Sequence, residues 1–355
     1  MLSAIVQQVT GETLFDYLMP RIFKPLGIRG IDWDLNPQGI NLGMIGLRVR
    51  TEDLAKFGQL LMQEGVWNKK QLIPKEWVKE ATSFKIRTDD GEASSTANEL
   101  NDWAQGYAYQ MWRGRNNTVR LDGMGGQFVV LIPDKDAIVV FTANARNTQQ
   151  QLNLMHDFLI PAIKSDKALA PDVAAQNEIL KRKTALSIMP GFTATTNAAF
   201  ETEISGKEFI LGSNDYQIQS VYLSFDKEEC TFALKRDNNI TSIKSGLNKW
   251  KISNTNSASL LAPPRGTFSK SIDANYSIIQ PVIKLGSQYA WTDDKTLEIT
   301  GRFVEESLGA ETIIFKFSEQ LGTIALTIEP KSAAPARMPA MRQPVVLRGT
   351  MVKIK

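Results

Sequence analysis

Apolar residues recur at helical spacing through the first 160 or so positions and give way beyond position 190 to short alternating runs. The chain therefore reads as a helix-containing half followed by an all-β half. Leu2, Ile5, Val6 and Val9 predict an amphipathic helix opening almost at Met1 and broken by Gly11. Glu12–Phe23 predicts a second, with Leu14, Leu18 and Ile22 on one face, a kink at Pro20 and a stop at Lys24-Pro25-Leu26-Gly27. Arg29–Gly46, rich in Gly, Asn and Pro, reads as a loop. Thr51 is a good N-cap with Glu52 and Asp53 in the first turn, Leu54, Phe57 and Leu61 form the buried face, and Gly65 is the C-cap. Pro74 opens a short helix presenting Trp77 and Val78. Asp89–Asn101 reads as a polar excursion, and Trp103–Arg113 as a strand carrying Tyr107, Tyr109 and Trp112. Gln149–Lys164 closes this half as a helix with Leu152, Met155 and Leu159 inward; His156 beside that face reads as a structural histidine.

The most informative stretch is Arg120-Leu121-Asp122-Gly123-Met124-Gly125-Gly126-Gln127. It leads into two apolar runs, Phe128–Ile132 and Ala137–Ala143, joined by the turn Pro133–Asp136. That is the pattern of a central hairpin. Both runs are nearly continuous in apolar residues, so helices should cover both sheet faces. Three glycines within four positions let another backbone or a ligand approach closely. A glycine-bearing bulge without a ligand explains the spacing equally well.

Arg-x-Asp-Gly-x-Gly-Gly-Gln, a strand, Pro-Asp-Lys-Asp and a second strand together resemble the serine β-lactamase-like hydrolases: class C β-lactamases, penicillin-binding DD-peptidases and related esterases. Thr51–Gly58, Gly65–Trp67 and Leu72–Trp77 are similar to that family's helical region, and the resemblance covers roughly residues 1–165. It implies an α+β fold with an antiparallel sheet and helices. It also implies a third motif (Lys-Thr-Gly or His-x-Gly in the family) on the strand lining the active site. Here that place holds Arg120-Leu-Asp122 or Asp122-Gly-Met124, depending on register. The substrate-binding residues implied are Arg120, Asp122, Gly123, Met124, Gly125 and Gly126, with Tyr107 and Tyr109 as candidate cleft aromatics. The departure from Lys-Thr-Gly favours an esterase or peptidase relative over penicillin recognition. A salt-bridged surface pair is the competing account of Arg120 and Asp122.

The family's nucleophile in Ser-x-x-Lys, and its Tyr-x-Asn or Tyr-x-Ser motif, are expected upstream of a helix like Leu2–Val9. The chain is thus expected to be an N-terminally truncated domain that does not turn over. Ser224-Phe-Asp-Lys227 does spell Ser-x-x-Lys, and Tyr222-Leu-Ser224 spells Tyr-x-Ser. The two overlap at a strand end. The chemistry needs a helix start, where the lysine falls one turn on beside the serine.

The 355 residues suit two domains. We expect residues 1–166 to form the β-lactamase-like part, 167–184 (Ala-, Lys- and Asp-rich, with Pro171) a linker with some helix, and 185–355 an all-β sandwich or lipocalin-like barrel. Phe209–Leu211, Gln217–Phe225, Cys230–Leu234, Ser277–Ile283, Thr296–Phe303, Thr312–Phe317 and Thr323–Ile328 read as strands, and Ala333–Pro344 as an exposed crossing before Val345–Ile354. A net charge of +3 with interspersed signs gives no case for nucleic acid. No apolar run reaches the ~18 residues of a membrane span. One cysteine, Cys230, and one histidine exclude an internal disulfide and a cysteine-based metal site, and no cofactor or metal is expected. Any ligand is expected to be a small molecule or peptide-like. A non-catalytic peptide- or glycan-binding module and a self-associating structural partner stay open. The compartment is open too: the N-terminal residues given do not read as a signal peptide, while the resemblance implies that complete relatives are commonly periplasmic or secreted.

Overall fold

The computed structural model describes residues 1–89, 99–145, 147–164, 170–187, 197–255, 257, 259–261, 283–304, 310–320, 322–331 and 346–352, together with the backbone of 268–271 and 274–277. The expected excursion around Asp89–Asn101, most of the start of the linker and the crossing Ala333–Pro344 fall largely or wholly outside the described residues. Two units result: Met1–Ala170 with Gly266–Gln280, and Pro171–Arg265 with Pro281–Lys355.

The first unit opens with α1 (Leu2–Thr10), closed by Gly11 at φ 74°. Its buried residue is Ser3, against Gly43, whereas Leu2, Ile5 and Val9 are exposed. α2 (Leu14–Leu18) is capped by Thr13 and continues into a π-type turn at Met19–Phe23 that absorbs Pro20. Strands β1 (Asp32–Leu35) and β2 (Leu47–Arg48) pair antiparallel, with Arg48 bridging Asp32 and Asp34 at 2.7 Å each. In α3 (Thr51–Met62), extended Arg50 rather than Thr51 stands at the N-cap, and the Thr51 hydroxyl meets that of Thr142, 2.8 Å away. The C-cap is Gln63 rather than the expected Gly65; Glu64 (φ 52°) and Gly65 (φ 84°) follow it in left-handed conformation, and Gly65 N–H reaches back to Leu60 O. A small ribbon follows, β3 (Val66–Trp67) and β4 (Lys70–Gln71), and then α4 (Lys75–Thr82) opened by Pro74.

The central sheet runs β5 (Trp112–Arg113), β6 (Val119–Gly123), β7 (Gln127–Ile132), β8 (Ala137–Phe141), all antiparallel. Helices cover both faces, as the unbroken apolar runs require. Val129, Leu131, Ile138 and Val140 meet Leu54, Phe57 and Leu61 of α3 and Val78 and Ala81 of α4. Phe128, Val130 and Ile132 meet Leu152 of α5 (Thr148–Leu154), Met155 and Trp103. Gly58 lets α3 sit on the sheet: a Cβ there would lie 2.8 Å from Val129 Cγ1. The expected strand Trp103–Arg113 is mostly irregular. Gly106 and Gln110 take positive φ, so Tyr107 folds back to bridge Trp112 and only Trp112–Arg113 joins the sheet. After α5 the helix turns π-type at Met155–Leu159. The extra residue rotates the face, burying His156 and exposing Leu159, which periodicity had placed inward.

The second unit begins with α6 (Val173–Ala185), exposed throughout, and α7 (Ala198–Ile204), which buries Phe200, Glu201 and Ile204. Strands β9 (Lys207–Leu211), β10 (Ser220–Asp226), β11 (Glu229–Arg236), β12 (Asn239–Leu247) and β13 (Lys251–Thr255) follow. Next come β14 (Phe268–Ser271) and β15 (Ala274–Ser277), which belong to the first unit, where β14 pairs with β1. The remaining strands are β16 (Ile283–Asp293), β17 (Thr296–Phe303), β18 (Ala310–Gln320), β19 (Thr323–Lys331) and β20 (Leu347–Met351). The order β12-β11-β10-β9-β20-β19-β18-β17-β16 closes on itself because Gly246–Leu247 pairs in parallel with Gln288–Tyr289. The alternatives of sandwich and barrel thus resolve to a closed nine-stranded barrel, which leaves no long sheet edge. Inward residues alternate, as Leu297, Ile299, Gly301 and Phe303 do along β17. Phe209, Phe232, Phe315, Phe317, Tyr289 and Trp291 fill the interior as a packed core.

Candidate functional site

The glycine-rich stretch lies at the β6–β7 connection. Gly123 pairs with Gln127, which leaves Met124-Gly125-Gly126 as the turn. Gly125 and Gly126 take φ of 77° and 87°, values that favour glycine. The glycines therefore make a tight hairpin turn, where the sequence had read an approach to a single hairpin. Several side chains hold that turn in place. The Gln127 amide clasps the backbone of Ala143 at both its N–H and C=O, and Ala145 N–H donates to Gly125 O at 2.8 Å. Gln151 Nε2 donates to Gly126 O at 3.1 Å. A Cβ at Gly126 would stand 2.0 Å from Gln151 Oε1.

The edge strand β5 pairs only with Val119 and Arg120 of β6. Beyond them Leu121, Asp122 and Gly123 have no outer strand partner among the described residues, and half-exposed Met124 stands at the tip. An unpaired strand edge ending in an anchored glycine turn offers backbone N–H and C=O groups to an extended ligand.

Arg120 and Asp122 point to the other side of this architecture. Arg120 is 2% exposed and lies among Trp103, Trp112 and Phe128, with its guanidinium 4.5 Å from the Trp103 ring centre. Its Nε donates to Asp122 Oδ2 at 2.9 Å and its Nη1 to Asp102 O at 2.9 Å. Burial pushes the Asp122 carboxyl up, opposed by the Arg120 charge. The two form a salt-bridged pair, inside the protein rather than on its surface.

Asp102 is the hub behind β6, and no local pattern in the sequence marks it. Its carboxylate accepts from Arg115 N–H and Nε (3.0 Å each), Gln149 Nε2 (2.8 Å) and His156 Nε2 (3.2 Å). Burial alone would raise this carboxyl, but the bonds from His156, Gln149 and Arg115 outweigh it and hold the group well below the usual carboxylate range. His156 Nδ1 faces Asn116 Nδ2 at 3.2 Å. With Asn116 Nδ2 as donor, Nδ1 of the ring accepts and Nε2 donates to Asp102. Both ring nitrogens are engaged, so this histidine has no free nitrogen for base catalysis.

Tyr107 packs edge-on to Trp112 with ring centres 4.7 Å apart, and Tyr109 donates to Glu80 Oε1 at 2.7 Å. The structure brings Tyr107 near Arg120 through Trp112, while Tyr109 is tethered to α4. Ser224 lies on β10 opposite Thr231, and Lys227 is a turn residue at φ 51°. Neither stands at a helix start. Among the described residues no group of three or more His, Cys, Asp or Glu side chains is placed to hold a metal ion, and no helix is long and apolar enough to cross a membrane.

An antiparallel sheet between helical layers, with an anchored glycine turn at an open strand edge, defines the first unit as an α+β domain. Residues 1–160 match the Beta-lactamase family model, and this region has a β-lactamase-like fold. No curated protein matches the chain. Among solved structures it is similar to a Bacillus anthracis protein described as a 6-aminohexanoate-dimer hydrolase, at 22% identity over 46% of this chain and 41% of that one, with a TM-score of 0.38. The chain thus spans less than half the length of that protein.

Proposed function

We propose that the first unit supplies the third-motif wall of a serine-hydrolase site, in which the backbone of Leu121–Gly126 binds an extended amide or ester. The observation that carries this reading is the open β6 edge ending in the anchored turn, within the region that matches the family. Its contacts to ligand come from backbone and from Met124. Arg120 is neutralised internally by Asp122, so recognition of a substrate carboxylate by Arg120 is not part of the reading.

Acyl transfer through serine needs a hydroxyl beside a base and an oxyanion site. The single Ser-x-x-Lys in the 355 residues is Ser224–Lys227, at a hairpin end. This chain by itself therefore binds without turnover. Steady-state hydrolysis of p-nitrophenyl acetate and of a chromogenic β-lactam tests the reading, with no rate above a Ser224→Ala control expected. Turnover abolished by Ser224→Ala would overturn it. The open β6 edge equally supports a non-catalytic peptide-binding module, for which ligand-dependent melting without turnover is the mark.

A further inference from the structure

The barrel is closed differently at its two ends. At one, α7 inserts Phe200 and Ile204, and Glu201 accepts from Trp291 Nε1 at 2.7 Å. At the other, the segment after β13 inserts Leu260 and Leu261, both about as buried as the strand core. The wall is shaped for them. Gly301 faces inward on β17 between Ile299 and Phe303, and a Cβ there would lie 2.8 Å from Leu260 Cδ2 and 3.1 Å from Leu285 Cδ1.

The plug's backbone is held by side chains. Glu311, paired across the sheet with Gly301, accepts from Leu260 N–H at 2.7 Å and from the Ser259 hydroxyl at 3.1 Å. Arg236, at the end of β11, donates through Nη2 to Leu261 O and through Nε to Tyr216 O at 3.0 Å. Leu261 N–H is satisfied within the segment, by the Ser259 hydroxyl at 3.3 Å. A carboxylate on one N–H, a guanidinium on the next C=O and two apolar side chains in a notched wall together recognise a dipeptide unit. None of these contacts on Leu260 and Leu261 is a rung of the barrel ladder.

We propose that this end of the barrel is a binding site for a short apolar peptide segment, occupied in the resting chain by its own Leu260–Leu261 as an autoinhibitory plug. The proposal is independent of the reading of the first unit. A tethered occupant acts at an effective concentration in the millimolar range, so an outside ligand binds the intact chain weakly. Replacing the plug should tighten it roughly tenfold or more.

The probe is N-acetyl-leucyl-leucinamide, titrated into the full chain and into a Leu260→Gly/Leu261→Gly variant. We expect at least tenfold tighter binding to the variant. In the unaltered chain, saturating probe should accelerate hydrogen exchange at the Leu260 amide while the strands stay protected. Failure of both proteins to bind, or binding with unchanged exchange at Leu260, overturns the proposal. If the variant loses the barrel's circular dichroism, exchange in the unaltered chain decides alone. There, faster exchange at Leu260 upholds the proposal and unchanged exchange ends it.

Discussion

Two buried carboxylates make opposite contributions to stability. Asp102 is held below its ordinary range by hydrogen bonds from His156, Gln149 and Arg115 that outweigh its burial. A depressed carboxyl stabilises above the unfolded value, near 4, and that stabilisation is lost as pH falls through it toward the folded value. Glu311 is raised by burial, against the bonds from Leu260 and Ser259. Its contribution is greatest at acid pH and declines as pH rises through its folded value. Urea unfolding across pH should therefore show Asp102→Asn flattening the acid limb and Glu311→Gln flattening the limb above it. At neutral pH, Asp102→Ala leaves Arg115 without its buried partner and should cost about 3–5 kcal/mol. Gly126→Ala places a methyl against Gln151 and forces φ of 87° on a side-chain residue, so we expect a loss of about 1–3 kcal/mol. Gln151→Ala in the same chain should recover only the steric part, giving a non-additive cycle.

At the scale of elements, Gly58 separates two effects of opposite sign. Gly→Ala in a helix interior gains about 1 kcal/mol of intrinsic propensity. Here the methyl would press on Val129 and Ile138, and overpacking costs about 1–3 kcal/mol. We expect Gly58→Ala to destabilise the first unit in urea unfolding. Elements with strong periodicity or turn chemistry were legible in the sequence: α1, α3, α4, the β7–β8 hairpin with Pro133–Asp136, and β17 at its observed limits. Two kinds of feature were not. The π-type turn at Met155–Leu159 shifts a helical face by one residue, which a 3.6-residue period cannot anticipate. β12 carries Asn239, Ser242, Lys244 and Ser245, too polar to announce a strand, yet it closes the barrel. Of the candidate site, the hairpin turn at Met124–Gly126 reads in sequence as an approach or a bulge, whereas the Arg120–Asp122 ion pair was legible, though as a surface pair. The Asp102 hub was not, because its partners Arg115, Gln149 and His156 come from distant positions.

At the scale of the molecule, a β-lactamase-like unit and a closed barrel share one chain, and β14–β15, which lie between barrel strands in sequence, belong to the first unit. The apolar stripe of α1 (Leu2, Ile5, Val9) is exposed, so concentration-dependent association is the expected result of sedimentation velocity, and a single monomeric species at all concentrations would count against it. The central proposal is that the first unit presents a binding edge and that this chain by itself does not acylate. The most direct measurement is the intact mass of the chain after incubation with a β-lactam and an activated ester, followed by peptide mapping. The account predicts an unchanged mass. A stoichiometric acyl adduct on one serine would contradict it.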